Sequence, residues 1–288
     1  MKTGISLYSL SRAINAKEMT VVQAIEWMAE NGAEHVEIVP CGFSLAEDKQ
    51  LLNDIVKTCA KVKLDISSYT IGANFVRPSQ AELKAEIERL RKEVDIAAAL
   101  GVKRMRHDVA YRAPEESSLD NFEKDLPDMV AGCQAVADHA AKHGIVTSVE
   151  NHGYHVQHFD RVQRLVKAVG RDNFRTTIDI GNFVVVDVDP LAGVKKNAPL
   201  ASMVHVKDFY LRPASADPGE GWFKSAAGNF CRGAIVGQGD VDIRGALKIL
   251  KAAGYDGYLS VEFEGMEDCR QGSRIGLANL KRFWAELA

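Results

Sequence analysis

Apolar residues return every three to four positions in seven stretches of the chain. They mark Val21, Ile25 and Met28; Leu52, Ile55, Val56 and Cys59; Leu83, Ile87, Leu90 and Val94; and Met129, Cys133, Val136 and Ala140. The same spacing continues through Val162, Leu165, Val166 and Val169, then Leu247 and Leu250, then Leu280, Phe283, Trp284 and Leu287. Each stretch predicts an amphipathic helix with one face turned to a core. A further short helix is expected to begin at Pro190, since proline suits a first helical turn.

Short apolar or β-branched runs lie between these helices: Gly4–Ser9, Val36–Val39, Leu64–Thr70, Val102–His107, Ile145–Glu150, Thr176–Ile180, Ser202–Val206 and Gly257–Phe263. Several follow a helix-ending glycine, namely Gly32, Gly101, Gly144 and Gly254. Eight strands and eight helices in strict alternation imply a parallel sheet with crossover helices. With no linker or composition shift dividing the units, they are expected to close into a single (β/α)8 TIM barrel over residues 1–288. A doubly wound sheet is the competing topology, but no GxGxxG turn follows the first strand. One long irregular stretch, Phe209–Asp240, is expected to form a functional loop after the seventh strand, on the catalytic face of a barrel.

In a barrel, the last inward side chain of each strand points into the mouth. Glu150, Asp179, His205 and Glu262 end strands five to eight, and each follows an aliphatic residue: Val149, Ile178, Val204 or Val261. Side chains alternate along a strand, so outward aliphatics turn the four polar residues inward together. Their positions, 150, 179, 205 and 262, lie 29, 26 and 57 residues apart: one βα unit, another, and one lengthened by the long stretch. Taken singly, each residue is equally well a strand-end group bonded to loop backbone. Four in one phase on consecutive strands argue for convergence. Three carboxylates and one imidazole suit one divalent ion, Mn2+ or Mg2+ first, with Co2+ or Zn2+ as alternatives.

The remaining polar positions carry less weight. His107 is read as either a pocket residue or a strand cap, and His152 as a contact for a substrate hydroxyl or a supporting group. Lys207 shares the phase of His205. Arg232, in the long stretch, suits either an anionic or polyhydroxyl group or a neighbouring carboxylate. Glu264 keeps the phase of Glu262, higher on the rim. Glu37 and Tyr69 read mainly as structural residues, and His35 and His139 as ordinary surface or helix histidines.

Composition narrows the function classes. The 288 residues are 46% hydrophobic and 26% charged, with 36 basic against 39 acidic side chains and a formal charge of −3. Nothing there drives binding to nucleic acid or to an anionic membrane. No apolar run is long enough to span a bilayer, and the N-terminal residues read as a strand, not a signal peptide. Five scattered cysteines without a CxxC pair point to a reduced, cytoplasmic protein.

Several motifs together resemble the xylose isomerase-like TIM-barrel superfamily, also described as sugar phosphate isomerase/epimerases. They are Ser148-Val149-Glu150-Asn151, Ile178-Asp179-Ile180-Gly181-Asn182, Val204-His205-Val206-Lys207-Asp208, Gly237-Gln238-Gly239-Asp240-Val241-Asp242, and Gly254-Tyr255-Asp256-Gly257-Tyr258 leading into Glu262. The resemblance covers essentially the whole chain. It implies that Glu150, Asp179, His205 and Glu262 bind one divalent metal, Mn2+ being the first choice, and that the two glutamates flank the substrate and move protons, as in ketose 3-epimerases. Tagatose/psicose 3-epimerases carry a histidine where this chain has Asn182, so Asn182 is expected to change substrate recognition. The superfamily's endonuclease IV needs that histidine and an Asp-Arg-His triplet where this chain reads Cys231-Arg232-Gly233. A multi-zinc nuclease is therefore disfavoured. The first expectation is an isomerase or epimerase acting on a ketose or keto-sugar derivative through an enediolate. The second is a lyase or dehydratase acting on a keto-glycoside or inosose by β-elimination. A non-catalytic sugar-binding barrel or partner-dependent subunit comes last. A homo-oligomer is expected only by family analogy.

Overall fold

The computed structural model describes residues 1–287. Eight parallel strands close into a barrel: β1 (Lys2–Ser6), β2 (His35–Ile38), β3 (Asp65–Ile71), β4 (Arg104–His107), β5 (Val146–Glu150), β6 (Phe174–Asp179), β7 (Ala201–Val206) and, last in the chain, β11 (Tyr258–Val261). They follow one another in chain order, and β11 pairs with both β7 and β1 to close the ring. Helices α2 (Val21–Glu30), α3 (Lys49–Val62), α4 (Gln80–Ala99), α5 (Leu119–Ala141), α6 (Phe159–Val169), α8 (Pro190–Asn197), α9 (Ile243–Ala252) and α10 (Cys269–Ala285) form the outer layer, with short α1 (Ser11–Asn15) and α7 (Asn182–Val185) added at the mouth. The alternation read from hydrophobic periodicity is the alternation observed.

Local chemistry sets the boundaries. Helix starts are capped by Thr20, Asp48, Ser79, Ser118, Asp189, Asp242 and Asp268, each accepting from a backbone N–H of the first turn. At the other ends, Gly32, Gly101, Gly144 and Gly254 take φ between +64° and +82°, a region costly for any side chain. Strand β1 ends sooner than its sequence pattern implied. Leu7–Leu10 winds into a 3-10 turn because Leu7 and Leu10 are needed in the core, while the Ser9 hydroxyl donates to the Val261 carbonyl (3.0 Å) and accepts from Phe263 N–H (2.9 Å).

The core lies between strands and helices. Ile5, Val36, Val149, Ile178, Val204 and Val261 all face that layer and are buried. The expected irregular stretch at 209–240 is a correction. It contains a three-stranded antiparallel sheet of β8 (Asp208–Arg212), β9 (Phe223–Lys224) and β10 (Phe230–Ala234). Its β9–β10 turn is fastened to Asp187, which accepts from Ser225 Oγ (2.7 Å), Ala227 N–H (2.6 Å) and Asn229 Nδ2 (2.8 Å). Among the described residues, no helix is long and apolar enough to cross a membrane.

Candidate active site and metal centre

Alternation on β5, β6, β7 and β11 brings Glu150, Asp179, His205 and Glu262 together. One ligand atom from each lies within 4.8 Å of all the others, and all four residues are buried. His205 Nδ1 stands 3.5 Å from Glu150 Oε2 and 3.7 Å from Glu262 Oε1. Backbone bonds hold the ligand strands: Asn151 Nδ2 donates to the Asp179 carbonyl (2.9 Å), and Asn151 Oδ1 accepts from Asp179 N–H (2.8 Å).

Two atoms of the cluster, Asp179 Oδ2 and His205 Nδ1, are buried without a hydrogen bond, and Asp179 Oδ2 has only the Lys207 ammonium at 3.3 Å. Orphaned polar atoms of this kind are costly unless something else satisfies them. An oxygen-rich set with one imidazole is chemically suited to a divalent cation. The residues therefore fit such an ion.

The rest of His205 is already committed. Its Nε2 is hydrogen-bonded to Glu37 Oε1 at 3.0 Å, an oxygen that also accepts from the Thr70 hydroxyl at 2.6 Å. That contact directs Nδ1 at the cluster, the arrangement that orients metal-binding imidazoles generally. Burial opposes charge on His205, yet Glu37, Glu262 and Glu150 together raise its pKa well above the usual imidazole value. Glu37 is correspondingly lowered, against its burial, mainly by His205. A register shift in the β2–β3 pairing falls between Val36 and Glu37, at the point where Glu37 turns into the barrel.

Two further cations share the cluster. Lys207 Nζ lies 2.6 Å from Glu262 Oε2, 3.3 Å from Asp179 Oδ2 and 3.4 Å from Glu264 Oε2. Burial would lower its pKa, but Asp179, Glu262 and Glu264 raise it well above 10.5, so it stays an ammonium. Arg106 Nε lies 2.7 Å from Glu150 Oε2, and its Nη2 2.8 Å from Asp108 Oδ1. Although burial disfavours charge there too, Arg106 and His205 hold Glu150 well below the ordinary carboxylate range. Burial prevails at Asp179, which is pushed up to about 7 in spite of Lys207.

The sequence profile of the Xylose isomerase-like TIM barrel family matches residues 25–283. The chain belongs to that family. No curated protein matches it in sequence. Among solved structures it is similar to D-allulose 3-epimerase from a Methylomonas species, with a TM-score of 0.72, 18% identity and 98% of each chain covered. It is also similar to the probable 3-DHS dehydratase AsbF of Bacillus anthracis, with a TM-score of 0.75 and 14% identity over 98% of this chain and 99% of that one. A third is a xylose isomerase-like TIM barrel protein from Mycobacterium smegmatis in complex with magnesium, with a TM-score of 0.72 and 16% identity over 100% and 98%. At such identities the likeness establishes the shared fold.

Within this xylose isomerase-like barrel, the other sequence candidates separate. Lys207 and His152 line a cavity of about 510 Å3 above the cluster. His152 Nδ1 meets Asp108 Oδ1 at 3.2 Å, and its pKa is raised by that carboxylate against the effect of burial. Asn182 lies behind the cluster: its Nδ2 donates to Glu150 Oε1 (3.0 Å), and its N–H to Asp179 Oδ1 (2.9 Å).

Two candidates fall elsewhere. His107 turns outward, donates Nδ1–H to the Asp108 carbonyl (2.8 Å) and packs near Phe75 and Phe174. Its neighbour Arg106 holds the inward phase. Arg232 lies opposite Tyr210 in the β8–β10 pairing, with its guanidinium over Tyr210 (4.8 Å) and Trp222 (5.1 Å), and does not line the cavity. The neighbouring Gly233 faces the other way, with no room for a Cβ against the Glu264–Gly265 backbone.

Residue type alone missed Arg106 and Tyr8, and Glu37, read mainly as structural, is the partner of His205. Tyr8 lines the cavity with Glu264 at 3.5 Å, and burial plus that carboxylate push its phenol up to about 12. His35 is another correction: expected at the surface, it is fully buried inside the barrel.

Proposed function

We propose that this chain is a divalent-metal-dependent isomerase or epimerase acting on a ketose or keto-sugar derivative. The observation that carries the reading is the placement of Glu150 and Glu262. They come from β5 and β11, with β6 and β7 between them in the ring, so their carboxylates reach the mouth from two sides of one small space. A substrate carbon held there has a proton acceptor on one face and a donor on the other, which configuration inversion requires.

Glu150, Asp179, His205 and Glu262 would hold the metal, Mn2+ or Mg2+ by donor type, and when bound it would supply Lewis-acid polarisation of a substrate carbonyl and hydroxyl. The protein does the rest. Glu150 is ionised beside Arg106 and is suited to take the proton α to the carbonyl. Glu262, paired with the Lys207 ammonium, would relay a proton from that ammonium to the other face of the carbon, and the relay runs backwards in the reverse direction. Lys207 and Tyr8 offer donors to substrate oxygens at the same wall.

A second reading, β-elimination from a keto-glycoside, has its own support. The cavity runs outward along Val39, Cys41, Phe43 and Leu45, an apolar wall that a free ketose has no group to match. A leaving group β to the carbonyl would lie along it.

Incubation of the metal-loaded protein with ketoses and 3-keto-glycosides in D2O tests both. Solvent deuterium at one carbon, with that carbon's configuration inverted, is the expected result. A released aglycone with an enone product moves the assignment to a lyase. Activity untouched by Glu150→Gln removes the site assignment altogether.

A further inference from the structure

The outer helical layer carries a second cluster of ligand atoms, unconnected with the barrel mouth. His139 lies in the last turn of α5 and His143 four residues on, just past the helix end, so both imidazoles project from one side. Asp95 faces them from the last turns of α4. His139 Nε2 lies 2.7 Å from Asp95 Oδ1, and His143 Nε2 lies 3.3 Å from the same oxygen. The two rings stand 5.6 Å apart at 60°. One ligand atom from each residue lies within 4.8 Å of the other two.

We propose that Asp95, His139 and His143 form a surface site for one divalent transition-metal ion, Zn2+ or Ni2+ by ligand type, that ties α4 to α5. Three features carry this. Both histidines aim the same nitrogen at one point, the pattern two imidazoles one helical turn apart use to chelate a metal. The separations are close to the spacing such an ion needs, because Zn–N and Zn–O bonds of about 2.1 Å place tetrahedral ligand atoms about 3.4 Å apart. The His143–Asp95 separation already matches, and the His139–Asp95 contact has to open by less than an ångström. Finally, the site lies at the C-terminal end of a 23-residue helix, where the unpaired carbonyls favour a cation.

The surroundings permit it. A surface cavity of about 380 Å3 borders Asp95 and His139. Two nearby arginines are already engaged, Arg91 with Glu88 and Arg171 with Asp138, which leaves Lys92 and Lys142 as neighbouring positive charges. Helices α4 and α5 run antiparallel to the strands, so their last turns lie at the barrel end opposite the mouth. The ligand sets differ as well. Two imidazoles and one carboxylate favour Zn2+, Ni2+ or Cu2+, whereas three carboxylates and one imidazole also accept Mn2+ or Mg2+.

That difference makes the test. The full-length protein is dialysed to equilibrium against Zn2+ or against Mn2+, and bound metal is counted by elemental analysis. Wild type is expected to hold two Zn2+ but one Mn2+. H139A/H143A should keep one of each, and E150Q/D179N should keep one Zn2+ and no Mn2+. Zn2+ should also raise the Tm of E150Q/D179N, reversibly with chelator. If H139A/H143A does not fold, H143A alone, which changes a residue beyond the helix end, should weaken the Zn2+ retained in the E150Q/D179N background by roughly an order of magnitude or more. A Zn2+ count unchanged by the histidine substitutions overturns the proposal. So does wild-type binding of a single Zn2+ that E150Q/D179N abolishes.

Discussion

The two ends of the barrel interior are built from the same eight strands and spend their polar groups differently. At the floor, the His35 ring occupies the space above Gly4, where an added Cβ would meet the ring at 2.6 Å and the His35 carbonyl at 2.1 Å. His35 Nε2 donates to the Leu259 carbonyl (3.0 Å), and its ring meets Tyr258 edge-on at 4.8 Å. Arg104 covers the Tyr258 ring at 5.0 Å and donates Nε–H to the Ser202 carbonyl (2.9 Å). At the mouth, Glu37, Arg106, Glu150, Asp179, His205, Lys207 and Glu262 are all buried and face one another. Floor groups bond to backbone and aromatic faces, which fixes strands in place. Mouth groups set charge against charge, Lys207 beside Asp179 and Glu262, Arg106 beside Glu150 and His205 beside Glu37. An arrangement that stabilises poorly yet concentrates charge is what a barrel's functional end presents.

The sharpest way to break this contrast is to remove charge at the mouth. Glu150→Gln and Glu262→Gln should each lower kcat by about 10²- to 10⁴-fold, the usual contribution of a positioned acid or base. Neither should lower the Tm by more than a degree or two, since burying fewer like charges offsets the lost ion pair. Thermal unfolding beside steady-state kinetics checks both. Unfolding of the Gln variants with little loss of turnover per folded molecule would mean that the mouth, too, is structural.

How much of this was legible depends on range. The cluster could be read because Val149, Ile178, Val204 and Val261 each fix the phase of the residue that follows, and one residue's phase is a local property. Arg106 carried the same signal, inward with Thr70 in the register, while His107 was favoured for its chemistry although it pairs with Ile71, which faces outward. Phase outranks residue type in a strand. Glu37 was harder, because its meaning comes from His205, 168 residues away, and no spacing connects them. His35 shares the phase of Glu37 and lies opposite Gly4, so an absent side chain across the strand pair makes its buried place. The small sheet at 208–234 escaped for another reason. Strand β9 has only two residues, and the Gly-, Pro- and Ser-rich turns between its strands look like loop at any window length.

A milder perturbation, pH, should act on the floor before it acts on the fold as a whole. Burial, only partly opposed by the bond to Leu259, lowers the pKa of His35 to about 4. Burial likewise takes His107, in the helical layer, to about 4. Above pH ~6.5 neither folded nor unfolded chain protonates these rings, and their contribution is fully present. As pH falls from about 6.5 towards 4, the unfolded chain takes up protons that the folded chain refuses. Each histidine should then remove on the order of 3 kcal/mol of stability. Denaturant unfolding at pH 7.5 and 4.5 measures the drop. His35→Gln, which can keep a donor for Leu259, should shrink it, and a drop as large as the wild type's in both His35→Gln and His107→Gln would place the acid sensitivity elsewhere.

The finest test concerns the boundary between the two kinds of interior. Glu37 sits on β2 two residues after His35, so one strand carries a floor histidine and a mouth carboxylate in the same phase. If Glu37 belongs to the mouth, its work is to hold His205 Nε2–H at 3.0 Å and direct Nδ1 at the cluster. Glu37→Gln keeps the shape and can still accept one hydrogen bond, but it removes the charge that favours the proton on Nε2. Metal affinity should fall by roughly 10- to 100-fold, as for other groups that orient a ligand from behind, with kcat at saturating metal nearly unchanged. Glu37→Leu should lose more, because Thr70 and His205 would then both be left without an acceptor in a buried site. Titration of Mn2+ into each variant separates the outcomes. A loss of stability in Glu37→Gln with metal affinity intact would move Glu37 to the floor's class, and the line between the two ends would have to be drawn one layer higher.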